Sequence, residues 1–152
     1  MKIAYFDCFA GISGDMCLGA LVNAGVSLSL IADELKKLPI ANYNLSSHKV
    51  IRGSIEATKV EVALTSTIGY QASEGSKFAD ILRIIKASAF HDKIKESGIR
   101  IFKQLFEAEA EVNGELFDNV HLHELGGIDC LVDVFGTLIG IDALGIEKTY
   151  VS

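Results

Sequence analysis

The chain of 152 residues contains little cysteine, no long basic run and no long hydrophobic run. Its three cysteines, Cys8, Cys17 and Cys130, are odd in number and widely spaced, which is neither a disulfide framework nor a CxxC metal motif. We interpret them as core residues of a protein in the reducing cytoplasm. Because the net charge is −6, nucleic-acid binding has little electrostatic support. No segment approaches the roughly 20 apolar residues of a membrane span, and Asp7 and Asp15 argue against a signal peptide.

Several catalytic signatures are also missing. There is no HExxH, so a zincin-type protease is not supported, and there is neither a Walker A loop nor a GxGxxG motif. The composition, 49% hydrophobic and 22% charged, is typical of a folded globular protein. A chain of this length makes one domain, which buries about two-thirds of its unfolded surface.

Hydrophobic periodicity and turn residues predict alternating strands and helices. Strands are predicted at 2–9, 43–52, 54–64 and 148–152, and helices at 14–24, 27–38, 78–88, 92–112 and 130–144. The predicted fold class is α/β or α+β, with one mixed sheet of about four strands and helices packed against it, in a single domain over residues 1–152. We expect the first and last strands to be neighbours. The polar loop 66–77 is the predicted flexible segment.

A glycine-containing turn, DCFAGISGD over residues 7–15, joins the first strand to the first helix. Free N–H groups at a helix start can hold an anion, and Gly11 and Gly14 permit close approach of a phosphate. With the predicted N-cap Ser13 and with Asp15, they form the candidate cofactor-binding set. Asp7 and Asp15 are the candidate catalytic carboxylates, because α/β proteins place such groups at the carboxyl ends of strands. The alternative is an ordinary capped turn in which Asp7 bonds to backbone.

The second motif is HLHELGGID, residues 121–129. In an extended segment His121 and His123 point to the same side. Imidazole and carboxylate are preferred by zinc, nickel and cobalt, so the candidate metal ligands are His121, His123, Glu124 and Asp129. The alternative is a pair of half-buried, hydrogen-bonded histidines. Asp129 and Asp133 share one helix face, either as groups that support a metal or as carboxylates that compensate the helix dipole.

Together, the two motifs resemble the nickel insertion proteins of nickel-pincer nucleotide biosynthesis, the LarC family. Residues 5–16, YFDCFAGISGDM, are similar to the opening signature of that family, and residues 120–129 are similar to its second signature. Residues 102–114 also match in kind and position. The resemblance covers nearly all of the chain.

The resemblance implies that the chain is the N-terminal domain of a longer or split protein. Full-length members, of the lyase class, insert nickel into a pyridinium-3,5-bisthiocarboxylate mononucleotide in the cytoplasm and consume CTP with Mg or Mn. The CTP region lies in a C-terminal domain that is absent here. The implied partners are that domain, the mononucleotide and CTP, with neither nucleic acid nor membrane, and a homo-oligomer stays open. The fragment alone is expected to be inactive.

The sequence departs from the family pattern at two internal positions. The loop 66–77 contains no histidine, and Asn113 stands where a histidine is common. Both departures remove candidate nickel ligands. Two other functions stay open: a non-catalytic nickel-binding and delivery module, and a metal-dependent phosphoester hydrolase that uses Asp7 and the histidines.

Overall fold

The computed structural model describes residues 1–65, 77–122 and 127–152, and within them it contains four strands and five α-helices. In chain order these are β1 (Ile3–Phe6), α1 (Gly14–Asn23), α2 (Leu28–Leu35), β2 (Tyr43–Arg52), β3 (Ile55–Leu64), α3 (Phe78–Ala87), α4 (Asp92–Asn113), α5 (Ile128–Ala143) and β4 (Lys148–Val151). The predicted mixed α/β class and all four predicted strands are confirmed. The loop predicted to be flexible falls almost wholly outside the described residues. In the described ranges, no helix is long and apolar enough to cross a membrane.

The four strands form two separate two-stranded sheets rather than the single sheet expected. Strand β1 pairs in parallel with β4, so the first and last strands are neighbours as predicted. Strands β2 and β3 form an antiparallel hairpin over their whole length, from Tyr43↔Leu64 to Arg52↔Ile55. Helix α1 packs against the inner face of the hairpin, where its Gly19 lies against the backbone carbonyl of Thr58. The hairpin therefore stands apart from β1 and β4.

Helix α5 is the centre of the core. Its Leu131, Val132 and Phe135 are fully buried. The Phe135 ring stacks on Phe90 with 5.3 Å between ring centroids. Gly98 of α4 leaves room for the same ring, because a Cβ at that position would overlap it. Apolar contacts on several sides of α5 thus explain why its sequence is hydrophobic nearly all round.

The packing of α1 against α5 determines where the helix ends lie. A Cβ on Gly136 would come 2.7 Å from Leu18, and one on Gly140 would come 2.8 Å from Leu21. Both contacts advance in the same direction along the two helices, so α1 and α5 run in parallel. Their N-terminal ends therefore lie side by side, and each end presents free backbone N–H groups and a partial positive charge.

Candidate functional site

Gly14 marks the point at which the starts of α1 and α5 meet. A Cβ on Gly14 would overlap the Cβ and carboxylate of Asp133. The sequence predicted that the missing side chain of Gly14 makes room for a phosphate. In the structure, it makes room for the Asp133 side chain. Close contact between the two helices brings the turn after β1 next to the first turns of α5.

Three carboxylates gather at this junction: Asp15 in the first turn of α1, Asp129 in the first turn of α5, and Asp133 one turn further on. Burial raises the pKa of Asp133 to about 6, and the negative charges of Asp15 and Asp129 add to this effect. The Oδ1 atom of Asp133 is buried and has no hydrogen-bond partner in the described part of the chain. Because an unpaired buried carboxylate oxygen is costly, this arrangement favours a bound cation.

Two thiols border the carboxylates, although the sequence indicated only core cysteines. Cys17 and Cys130 are half-buried. Burial raises the pKa of Cys17, and the nearby Cys8 and carboxylates raise it further. A hydrogen bond with Thr137 lowers this pKa but does not cancel the rise. Burial and two neighbouring aspartates raise the pKa of Cys130 to about 12. Both groups are therefore thiols at neutral pH, and neither has the depressed pKa of a nucleophilic cysteine.

The predicted metal ligands are described in part. His121 is half-buried, and its Nδ1 atom is buried with no partner among the described residues. Asp129 is exposed at the start of α5. His123 and Glu124 lie outside the described residues, so their part of the prediction is not tested. Across residues 1–65, 77–122 and 127–152, no group of three or more His, Cys, Asp or Glu residues is arranged to hold a metal ion.

The turn between β1 and α1 shows local features of the predicted anion site. Gly11 has a φ of +85°, which favours glycine, and its N–H donates to the Cys8 carbonyl at 2.8 Å. Ser13 is the N-cap residue as predicted, but its hydroxyl donates to the Asp15 carboxylate rather than capping a backbone N–H. Asp7 is exposed at the end of β1. Anion binding stays a prediction, and the carboxylates beside this turn weigh against it.

A cavity of about 510 Å³ begins at Gly14, Cys17 and Asp133 and follows the groove between α4 and α5. The start of β4 closes one side. This volume lies within the range of small-molecule binding sites. The walls are mainly aliphatic and are formed by Ile94, Ile101, Val134, Leu138, Ile141 and Ile146. Polar and charged side chains also line the cavity: Lys93, Ser97, Arg100, Thr137, Asp142, Glu147, Lys148 and Thr149.

The two helices that form the groove are antiparallel. The Lys93 Nζ atom of α4 lies 3.3 Å from Oδ1 of Asp142, near the end of α5, whereas Gly98 lies against Phe135, nearer its start. Continuing this register places Arg100 at the level of Asp133. No described residue forms an ion pair or hydrogen bond with the Arg100 side chain. Sequence reasoning missed Arg100 and Thr137, because only the pairing of two distant helices gives them a shared cavity.

Comparison with known proteins identifies the family. Residues 4–152 match the family model described as nickel insertion protein. The chain therefore belongs to the nickel insertion protein family, which confirms the resemblance carried by the two motifs. No solved structure matches the chain significantly.

Curated relatives agree with this assignment. A putative nickel insertion protein of Citrifermentans bemidjiense is 44% identical over 153 residues, which cover 100% of this chain and 38% of that protein. A Desulfitobacterium hafniense relative is 41% identical over 155 residues, covering 100% of this chain and 37% of its own length. That relative is named pyridinium-3,5-bisthiocarboxylic acid mononucleotide nickel insertion protein. The chain thus spans less than two-fifths of these relatives.

Proposed function

We propose that this chain is the N-terminal part of a nickel insertion enzyme, and that nickel binds where α1 and α5 begin. The observation that carries the proposal is the Oδ1 atom of Asp133. It is buried, lies in a group of three carboxylates and has no hydrogen-bond partner among the described residues, in a family named for nickel insertion. The acceptor of the nickel is the pyridinium-3,5-bisthiocarboxylate mononucleotide for which a relative is named.

Electrostatics at this junction support a cation rather than an anion. Three carboxylates outweigh the partial positive charges of two helix ends, each equivalent to roughly half an elementary charge. A divalent ion would neutralise Asp133 and supply a partner for its Oδ1 atom. Nδ1 of His121 is a second buried atom that has no hydrogen-bond partner in the described part of the chain. Imidazole nitrogen and carboxylate oxygen are both suitable nickel ligands.

The proposed ligand set is His121, His123, Glu124 and Asp129, with Asp133 beside it. Nickel is cargo in this reaction, so the protein ligands must release it to the sulfur atoms of the mononucleotide. Sulfur donors are softer than imidazole and carboxylate, which favours such a transfer. Asp15 contributes negative charge to the site. Asp7 remains a candidate catalytic carboxylate, on the strength of its position after β1 alone.

Cleavage of CTP, with Mg or Mn, is proposed for the part of the longer proteins that this chain does not cover. By this proposal, residues 1–152 bind nickel but do not turn over CTP. A nickel delivery module would share the same binding site without taking part in insertion.

Calorimetric titration with nickel tests the binding site. The double variant His121→Ala/His123→Ala should lose stoichiometric binding, and Asp133→Asn should weaken it. His48→Ala is the matched control, because His48 is exposed on strand β2 and far along the chain from the site. Unchanged affinity in the double variant would show that nickel binds elsewhere.

Turnover assays separate the insertion enzyme from the delivery module. This chain should form no cofactor with CTP alone, and should do so when the C-terminal portion of a longer relative is supplied as a second chain. Cofactor formation by the C-terminal portion alone, when it is supplied with nickel and CTP but not with this chain, would favour delivery. Hydrolysis of simple phosphate esters by residues 1–152 would favour the phosphoester hydrolase instead.

A further inference from the structure

We infer that the cavity between α4, α5 and β4 binds the mononucleotide, with Arg100 holding its phosphate group. The identity of the ligand rests on the proposed function, whereas the cavity and its charges are independent of it. Arg100 lies outside the three segments that carried the resemblance to the family, residues 5–16, 102–114 and 120–129.

The walls of the cavity suit a nucleotide with an aromatic base. Aliphatic side chains from both helices and from Ile146 provide flat apolar surface for a ring and a ribose. Ser97 and Thr137 provide hydroxyl groups for hydrogen bonds to the sugar. The volume, about 510 Å³, accommodates one molecule of this size.

The charged side chains that line the cavity differ in whether they have an ion-pair partner. Lys93 is paired with Asp142, which also lies 3.5 Å from the His91 imidazole. The Glu147 carboxylate lies 3.5 Å from the amino group of Met1 and accepts a hydrogen bond from the Lys2 backbone N–H at 2.9 Å. Lys148 also lines the cavity, as a cation with no ion pair among the described residues. In the part of the chain that the structure describes, Arg100 has no such partner. A guanidinium group binds phosphate oxygens in a bidentate manner, so Arg100 is the group best suited to a phosphate monoester.

The exposed position of Arg100 and the half-buried position of Asp133 determine how the ligand is oriented in the cavity. Arg100 is exposed at the rim, while Asp133 is half-buried on the opposite wall, beside Cys17. Packed helices lie about 8–10 Å apart, comparable to the distance from the phosphate to the far side of the base in a mononucleotide. With its phosphate on Arg100, the ligand places its positively charged ring and metal-accepting groups beside the carboxylates. One molecule then joins the cationic and anionic walls.

Binding of nicotinic acid mononucleotide tests this assignment, because it has a pyridinium ring, a carboxylate and a phosphate. We expect Arg100→Gln to weaken its binding by about tenfold or more, the loss associated with charged hydrogen bonds. Lys103→Gln is the matched control, since it removes one positive charge from the same helix, and Lys103 does not line the cavity. Equal affinity of the two variants in calorimetry would overturn the proposal.

Three further ligands identify the group that Arg100 contacts. Nicotinic acid riboside, which lacks the phosphate, should bind more weakly and with equal affinity to wild type and Arg100→Gln. Inorganic phosphate and CMP should compete poorly with the mononucleotide. If CMP displaces the mononucleotide efficiently, the cavity belongs to the CTP reaction and the inference is wrong.

A second variant tests the cavity itself. Ser97→Phe would fill the groove from α4, so it should abolish binding of both mononucleotide and riboside without lowering the melting temperature. Normal mononucleotide binding by this variant would exclude the cavity. Nickel binding by Arg100→Gln and mononucleotide binding by the histidine double variant should both persist, so failure here is distinguishable from failure of the nickel site.

Discussion

Helix α1 makes two close contacts through glycine, and the contacts differ in kind. Gly19 lies against the backbone carbonyl of Thr58 in the hairpin, whereas Gly14 lies against the side chain of Asp133 in α5. At the first contact, buried Leu18 and Val60 lie close by in well-packed core. At the second, a buried oxygen of the Asp133 carboxylate has no hydrogen-bond partner within residues 1–65, 77–122 and 127–152. The contact of α1 with the hairpin therefore stabilises the fold. The contact at the start of α1 places a carboxylate where it destabilises the fold and where a ligand could bind.

The largest expected effect is at the hairpin contact. Gly19→Ala should lower the free energy of unfolding by about 3 kcal/mol, because the new Cβ meets backbone that cannot rotate away. Urea unfolding would measure this loss. Ala20→Ser, at the exposed neighbouring position, should stay within about 0.5 kcal/mol of wild type. A Gly19→Ala protein as stable as wild type would mean that the helix and hairpin are not in firm contact.

At the carboxylate junction the expected effect has the opposite sign. Because the pKa of Asp133 is raised to about 6 in the folded state, its ionisation opposes folding. This cost is absent below the unfolded pKa of about 4, develops as the pH rises to about 6, and is complete above that value. Asp133→Asn removes it and should stabilise the protein by about 1–3 kcal/mol at pH 8.

Thermal unfolding of Asp133→Asn and wild type from pH 4 to 8 would check this difference. The two proteins should converge near pH 4 and diverge toward pH 8. A variant that is less stable than wild type at pH 8 would indicate that Asp133 has a stabilising partner. Stronger folding together with weaker nickel binding would show that the site is maintained at the expense of stability.

A smaller loss is expected for Gly14→Ala, about 1–2 kcal/mol, because the starts of two helices can separate slightly. The loss should be reduced in an Asp133→Gly background, where the overlapping side chain is gone. A double-mutant cycle by urea unfolding measures this coupling. Additive effects would contradict direct contact between the two positions.

The smallest expected effect is on Cys17. Its raised pKa should make alkylation by iodoacetamide slow at pH 8, since only the thiolate reacts. Asp133→Asn removes one of the negative charges that contribute, so the reaction should be about twofold faster. Peptide mass spectrometry follows this residue separately from the other cysteines. An unchanged rate would place Asp133 too far from the thiol to influence it.

Local patterns predicted the local structure well. The helix expected over 92–112 spans Asp92–Asn113, and Ser13 is an N-cap residue. One predicted helix is too long: it was expected to reach residue 38 but ends at Leu35. The reason is that i→i+3 hydrogen bonds tighten the chain from residue 34 to 38, ahead of Pro39.

The parts that sequence reasoning missed depend on contacts between distant segments. Periodicity gave the strands of the hairpin but not its separation from β1 and β4, which depends on how α1 covers it. The sequence pattern did not decide whether Asp133 compensates the helix dipole or supports a metal, because its position against Gly14 of α1 depends on a contact between distant segments. Arg100 carried no signal, because its significance arises from the cavity it shares with α5.

The pairing of β1 with β4 also has a kinetic consequence. The Lys2 N–H and the Glu147 carboxylate are bonded across a separation of 145 residues. Contacts between such distant segments form slowly, because a long loop must close first. During synthesis, β1 has no sheet partner until residues 148–151 leave the ribosome. The hairpin and α1 can form before β4 is made, whereas the turn that leads into the proposed nickel site is held by sheet pairing only afterwards. If nickel binds there as proposed, its capture by a nascent chain that has not yet made β4 is disfavoured.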